Sequence, residues 1–378
     1  MIKAEIVAYS VDPRGNKLLS VLATFPRIIL AEINTHRMLS KNTSSSRAIP
    51  FSKMVEAIQN NPFIPIAWQK EHSGMQGTEY ITESTHLQQI NEDWLNARNN
   101  AIKSAILLDS GFEDELSENN VRIDKVTKQI CNRLLEPFMW TTMLITGPLE
   151  GGWDNFFNLR CPSYSVEGRQ DGVHSVPHKS WKDLKKSYPF MITGEEDTLT
   201  RLKLNTGQAE IHMMDLAEKI YDAVNESVSL KLKPGEWHIP FDNQIKPGAI
   251  FYAEQYATGL YKNSEDSIDM SKVKISTAMG ARTSYTIVGE EKELNYKNLV
   301  GLHDRLIAQT PPHSSPMEHC AQCMTDLEHE SFIRGQLEYT SDEWDITEPL
   351  YSEKGWCRNF KGFIPYRYIV ENNNQLNK

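Results

Sequence analysis

The first two dozen residues leave this chain few ways to begin folding. Residues 2–10 and 17–24 are apolar runs rich in β-branched side chains. Pro13-Arg14-Gly15-Asn16 stands between them as a dense turn signal, so the chain is expected to open on a β-hairpin. Pro26 then suits the first position of a helix, where its fixed φ is already helical, and Ile29, Ile33 and Met38 mark the inward side of that helix. The stretch after it, 33–51, reads as its exit loop. Ser52 is placed to cap a second helix through Met54, Ala57 and Ile58, ending before Asn60-Asn61-Pro62.

Helical periodicity continues at roughly 84–108 and 117–140, the second carrying Val126, Ile130, Leu134 and Met139 on or near one face. Gly147-Pro148 and Gly151-Gly152 break the chain. Residues 161–204 mix turn formers and charges as an excursion from the core. Gln208–Val228 reads as a helix with Ile211, Met214, Ile220 and Val224 inward, 231–272 as a connector, Lys274-Ile275-Ser276-Thr277-Ala278-Met279 as a strand, and 295–309 as a helix. The chain ends in an aromatic-rich segment. With no internal repeat and no low-complexity tract, a single α+β domain carrying large insertions is the economical reading. The length of 378 residues at 39% hydrophobic content suffices for its core.

Charge narrows the function. A formal net charge of −10 argues against a surface that holds polymeric nucleic acid through its phosphates, so any anion site has to be local. No apolar run approaches a membrane span, the first residues lack a secretory signal, and five cysteines form no disulfide framework. A cytoplasmic protein without membrane attachment is expected.

The stretch INTHRMLSKNTSSSRAIPF, 33–51, crowds small hydrogen-bonding groups and cations into one place. One reading is structural, since Ser, Thr and Asn cap helices and stabilise turns. The other notes His36, Arg37, Ser40, Asn42, Ser45 and Arg47 between two helices, where unpaired backbone N–H groups, hydroxyls and guanidinium forks suit a phosphate.

These residues resemble the signature of the flavin-dependent thymidylate synthases (ThyX), Arg-His-Arg-x-x-Ser-x-Asn-x-x-Ser-x-Arg, from Thr35 to Arg47, and every fixed position agrees except the first, which is Thr35. Asn132-Arg133-Leu134-Leu135-Glu136-Pro137, the run Asn155–Arg160 and Gln208-Ala209-Glu210-Ile211-His212 are similar to further elements of that family. So are Ala281-Arg282-Thr283-Ser284-Tyr285 and His313-Ser314-Ser315-Pro316-Met317-Glu318-His319. The last two normally open the family's chain, whereas here they come late. A permuted order is physically tolerable because a fold depends on which elements pack together. The resemblance implies an α+β ThyX-like fold, a mixed sheet with long flanking helices, in one catalytic domain over 1–378. Within it, 1–160 and 205–228 match the family's second half, 161–204 is an insertion, 229–274 a connector, and 275–370 match the first half. The variant is similar to a subgroup that is in many cases phage-encoded.

The resemblance further implies transfer of a one-carbon unit from methylenetetrahydrofolate to C5 of dUMP, with FAD carrying hydride from NADPH and no cysteine nucleophile. Positioning and charge stabilisation would do the protein's part of the work. On this reading Arg47, Arg133 and Ser45 hold the nucleotide phosphate, Glu32 and His212 join them at the nucleotide, and Ser45 and His212 act in catalysis. His36, Arg37, Asn42, Asn158, Arg160 and His319 lie against the flavin. Such sites are shared between subunits, which implies a homo-oligomer, a dimer or a tetramer. His212 stands where the family has an Arg reading the pyrimidine, and Thr43 where it has Glu. These departures leave open dCMP, a hydroxymethyl product, or a nucleotide-binding relative without turnover. Structural alternatives exist for single residues: Arg133 pairing with Glu136, Arg160 capping a carbonyl, His319 as a satisfied core histidine.

Cys320-Ala-Gln-Cys323 is one C-x-x-C without a second pair, so no metal site is expected and packing on a strand is the preferred reading. The tail Trp356–Arg367 alternates aromatics and cations and reads either as a core strand with outward cations or as a stacking surface for a base or pterin. Trp237-His238 has the same two readings.

Overall fold

The computed structural model describes residues 1–73, 77, 79–114, 122–165, 177–189, 198–246, 264–290, 294–309, 312–333 and 353–376. The opening hairpin is β1 (Lys3–Val11) and β2 (Lys17–Pro26), paired antiparallel as expected. Asp12 closes its turn: one carboxylate oxygen accepts from the backbone N–H of Arg14 (2.9 Å) and of Asn16 (2.7 Å), and Gly15 takes the left-handed φ of +87° that the turn requires.

A 3-10 turn (Arg27–Ile29) leads to α1 (Leu30–Asn34), β3 (Ser40–Thr43) and α2 (Phe51–Asn60). Helix α3 (Ser84–Ser110) precedes the ribbon β4 (Phe112–Asp114) and β5 (Arg122–Asp124), then α4 (Lys128–Arg133) and the long strand β6 (Trp140–Pro148). Four helices follow, α5 (Asp154–Arg160), α6 (Trp181–Ser187), α7 (Thr198–Lys203) and α8 (Ile211–Glu226), with the short strands β7 (Leu230–Lys231) and β8 (Trp237–His238) after them. Helices α9 (Ser264–Arg282) and α10 (Tyr296–Ile307) come next, then β9 (Ala321–Cys323), α11 (Asp326–Ser331), β10 (Trp356–Cys357), β11 (Phe360–Lys361), β12 (Phe363–Pro365) and α12 (Tyr366–Leu376). None of the described helices is long and apolar enough to cross a membrane.

The main sheet has the order β3-β6-β2-β1-β7, antiparallel except for the β1–β7 pair, so the fold is α+β around a mixed sheet. Side chains alternate across it and divide the core in two. Leu19, Val21, Ala23 and Phe25 of β2, with Met143 and Ile145 of β6, pack with Trp153, Phe156 and the inward residues of α8. Leu144 points the other way, into a second core with Val273, Ile275 and Ala278 of α9, Leu299 and Leu306 of α10, and Met317. Helices α2, α3 and α4 gather a third cluster around Met54, Ile58, Ile102 and Phe138. A small sheet, β12-β9-β8, lies beside the second core.

Several expected elements differ from the observed ones, each for a physical reason. The pattern over 117–140 is not one helix: among its described residues only Lys128–Arg133 is α-helical, and Pro137 sits in a 3-10 turn. Beyond it β6, buried along most of its length, shows no alternation for a sequence reading to find. Residues 274–279 lie within α9, because a short apolar run packed on most sides looks the same as strand or helix. The helix after Pro26 ends at Asn34, and the exit loop contains β3. Pro50, not Ser52, precedes α2. The connector region holds β8 and the start of α9, with 247–263 outside the described residues. Helix α8 matches its pattern, with Ile211, Met214, Ile220 and Val224 all buried. In the 161–204 excursion the described residues form α6, α7 and a satellite cluster of Tyr164, Trp181 and Leu184.

Candidate functional site

The polar stretch after α1 is where early and late segments meet. Strand β3 occupies the sheet edge, and Asn42 on it turns toward α9, donating from Nδ2 to the Gly280 carbonyl (2.6 Å) and to Thr283 Oγ1 (2.9 Å). Its Oδ1 accepts from Ser315 Oγ (3.2 Å) and Ser284 Oγ (3.3 Å). Ser44 donates to the Thr283 carbonyl (3.1 Å), and the Ser45 backbone N–H to the Ser284 carbonyl (2.8 Å). An early motif segment thus closes on two late ones, each more than 200 positions away along the chain, through buried or half-buried hydrogen bonds. Sequence reasoning placed Asn42 at a cofactor; here its amide is fully engaged within the protein.

The following turn, Ser45–Ile49, is held from a third side. Asn132 of α4 is fully buried and donates to the carbonyls of Ser46 (2.8 Å) and Ile49 (3.1 Å). This clamp brings Arg133, next along α4, into the neighbourhood of Arg47. Both are exposed, and among the described residues neither guanidinium has a hydrogen-bond or ion-pair partner. The alternative pairing of Arg133 with Glu136 does not form, since Glu136 pairs with Arg27 (3.3 Å). Ser45 is half-buried with its Oγ facing the Arg47 N–H (3.3 Å). A cavity of 380 Å³ opens beside the turn, lined by Ser44, Ile49, Met54, Ile58 and Trp140, and the Lys53–Glu290 ion pair (2.7 Å) lies at its wall.

A second cluster forms where α1 meets α5. Arg160 donates from Nε to His36 Nε2 (3.0 Å), from Nη1 to Glu32 (2.9 Å) and from Nη2 to Thr35 Oγ1 (3.3 Å). Because Nε2 accepts, the neutral His36 ring carries its proton on Nδ1. Burial, reinforced by the charges of Arg160 and Lys41, lowers the His36 pKa to about 4, so the ring is neutral at pH 7. Burial also raises Glu32, with Arg160 opposing, and lowers Lys41. Among the described residues Arg160 caps no carbonyl. Arg37 beside it is exposed and unpaired among the described residues, and Asn158, exposed on α5, accepts from Lys179 (2.6 Å).

His212 and His319 share no hydrogen bond with these clusters among the described residues. His212, at the start of α8, accepts at Nε2 from the Ile66 N–H (3.0 Å) and donates from Nδ1 to Glu210 (2.6 Å). Its ring is 2% exposed and lies edge-on to Phe63, so it offers no free nitrogen to a ligand; it ties the 62–67 segment to α8. His319 bonds through Nδ1 to Thr146 Oγ1 (2.9 Å). Thr146 and Ile145 are neighbours on β6 and face opposite sides of the sheet. His36 contacts Phe156, which packs on the Ile145 side, so His36 and His319 lie on opposite faces of the sheet within one chain. Their expected convergence does not occur within a single chain.

Cys323 is on β9 and Cys320 just before it; both are buried, in different hydrophobic clusters, and burial raises both thiols, to about 12 and about 11. The tail follows the core-strand reading: Trp356, Phe360 and Phe363 are buried, with Lys361 over the Trp356 ring at 5.9 Å. Sequence reasoning missed Asn132 as a clamp, and it missed Ser20 on β2 and Thr146 on β6, which the other hydroxyls of those strands, Thr24, Thr141 and Thr142, do not set apart.

No family model matches the chain, and no curated protein does. Two solved structures align loosely, both of a UMP/dUMP methylase PolB from Streptomyces cacaoi. The form bound with 5-Br UMP aligns over 60% of this chain and 89% of that one at 14% identity with a TM-score of 0.37. The form bound with 5-Br dUMP aligns over 50% and 88% at 15% identity with a TM-score of 0.32. Alignments of this quality establish neither a shared fold nor a shared activity.

Proposed function

We propose that this protein transfers a one-carbon unit from methylenetetrahydrofolate to C5 of a pyrimidine deoxynucleoside monophosphate, dUMP giving dTMP, using FAD and NADPH. The observation that carries the proposal is the closure of the motif segments on one another: Asn42, Ser44 and Ser45 lock onto Thr283, Ser284 and Ser315. Asn132 then holds Arg133 beside the same turn. Ser45, Arg47 and Arg133 bind the 5′-phosphate, since two unpaired guanidinium forks and a hydroxyl match a dianion. The neighbouring cavity gives the remainder of the nucleotide an apolar wall at Trp140 and Met54.

The residues assigned to the flavin fit an anionic dinucleotide in part. His36 and Arg160 are bonded to each other, with Arg37 next along the chain exposed to meet a diphosphate and neutral His36 offering Nδ1–H as a donor; Asn158, two residues before Arg160 on α5, is engaged by Lys179. Asn42 is engaged internally and shapes the loop instead. A bound flavin supplies the hydride that reduces the transferred carbon to a methyl group. A site that uses both the His36 group and His319 takes them from two copies of the chain, which supports a homo-oligomer, dimer or tetramer. The permuted motif order belongs to this same reading.

One observation favours a second reading, a nucleotide-binding relative without turnover: His212, at the position of the family's pyrimidine-reading Arg, has both ring nitrogens engaged by the protein. One experiment separates the two. The purified protein is incubated with FAD, NADPH and methylenetetrahydrofolate plus dUMP or dCMP, and flavin absorbance and product mass are recorded. A yellow protein that adds a methyl or hydroxymethyl mass to either nucleotide supports the enzyme and names its base. A protein that binds dUMP but yields no mass change is the binder.

A further inference from the structure

Beneath the main sheet, five polar side chains form an unbroken line in an otherwise apolar layer. Ser10 Oγ bonds to His238 Nδ1 (2.8 Å), His238 Nε2 to Ser20 Oγ (2.8 Å), Ser20 Oγ to Thr146 Oγ1 (2.6 Å), and Thr146 Oγ1 to His319 Nδ1 (2.9 Å). None is more than 3% exposed. Ser20 and Thr146 are direct cross-strand partners, and His238 sits on β8, whose other neighbour is β9, the strand that follows His319. Leu18, Leu144 and Phe363 surround the line. The far nitrogen of the last ring, His319 Nε2, is buried and has no partner among the described residues.

Such an arrangement costs desolvation for each group and is tolerated only when every link is made. Making every link has a consequence for the protons. Each hydroxyl has one hydrogen, so along the line Thr146 and Ser20 each donate one way and accept from the other. If Thr146 donates to His319 Nδ1, Ser20 donates to Thr146 and His238 donates from Nε2 to Ser20, and both histidines carry the proton on Nε2. If the line runs the other way, both carry it on Nδ1. Mixed arrangements place two donors or two lone pairs against each other.

We infer that Ser20, Thr146 and His238 are positioning residues that lock the tautomer of His319 to that of His238, fixing from a distance whether His319 Nε2 is a donor or an acceptor. Both rings are strongly depressed in pKa by burial, to about 3, so both are neutral at pH 7 and tautomerism is the freedom left to them. The use of that nitrogen against a flavin or its substrate rests on the proposed function; the coupling does not.

The test is the two-bond nitrogen–proton NMR spectrum of the histidine rings in the full chain at pH 7, with His238 and His319 assigned from His238→Gln and His319→Gln. The expected result is that both rings show the same nitrogen protonated. In Thr146→Val the His238 ring nitrogens are expected to move toward a mixture of the two tautomers although His238 does not touch Thr146, and Thr146→Ser is expected to restore the wild-type pattern. Opposite tautomers in the wild type, or a His238 pattern unmoved in Thr146→Val, overturn the inference. Should Thr146→Val fail to fold, Ser20→Ala is read at the His319 ring, which Ser20 does not touch: movement of the His319 nitrogens toward a mixture of tautomers is expected, and an unmoved His319 pattern overturns the inference. Tautomer coupling in a protein that neither binds flavin nor turns over would uphold this inference while removing the proposed activity.

Discussion

At the scale of single residues, the motif side chains divide into those that build the site and those left to act from it. Asn42 is a builder. Replacing it with Ala leaves the Gly280 carbonyl and the hydroxyls of Thr283, Ser284 and Ser315 short of a buried partner. Asn42→Ala is expected to lower stability by about 2–3 kcal/mol, read from the urea midpoint. Arg47 and Arg133 are the opposite case, exposed and without partners among the described residues. Arg47→Gln or Arg133→Gln is expected to leave the urea midpoint within about 0.5 kcal/mol of wild type. Each is expected to weaken dUMP binding by roughly 10- to 100-fold in calorimetry, the worth of a charge-assisted hydrogen-bonded pair. Unchanged affinity in both variants would remove the phosphate assignment.

At the scale of elements, α8 and its cap carry a specific load. Glu210 precedes the helix, and its carboxylate accepts from the N–H groups of His212 (2.8 Å) and Met213 (3.0 Å) while its other oxygen holds His212 Nδ1. Glu210→Ala removes a helix cap and releases the histidine that ties the 62–67 segment to α8. A loss of about 1–2 kcal/mol is expected in thermal or urea unfolding, together with faster amide exchange at Ile66, whose N–H bonds to His212. Helix α8 was legible because Ile211, Met214, Ile220 and Val224 recur at helical spacing. Strand β6 was not, because it lies between two strands and two cores and so loses the alternation by which strands are read. Helix α9 was lost for the same reason, as its middle is buried nearly all round.

For the whole molecule, the division of the core by one sheet bears on the proposed shared site and on the pH response. Since the His36 group and His319 face opposite sides, a His36→Gln variant and a His319→Gln variant, each inactive alone, are expected to regain up to about a quarter of wild-type turnover when unfolded and refolded together. That figure follows from the share of shared sites that receive both intact residues in a randomly mixed oligomer. Two inactive variants that stay inactive after mixing would place both residues in the same copy. The pH response follows from the buried rings. The His36 pKa falls from 6.5 to about 4 on folding, so below pH 6.5 the unfolded chain takes up a proton that the folded one refuses. Stability therefore rises with pH across that window. The loss of urea midpoint between pH 7 and pH 5 is expected to be larger in the wild type than in His36→Gln, where this contribution is absent.

By itself, the order of residues determined the opening hairpin, helices α3, α8 and α10, and the motif residues that point to a nucleotide site. These are local matters, fixed by periodicity, turn chemistry and the donor groups that a phosphate requires. Which of those residues remain available was decided only in three dimensions. Asn42 and His212 are consumed by partners far along the chain, Arg47 and Arg133 are left without one among the described residues, and Ser20, Thr146 and His238 join His319 in a line that no spacing reveals. A hydrogen bond is satisfied by whichever group lies within about 3 Å, and long-range packing, not sequence separation, sets that neighbour.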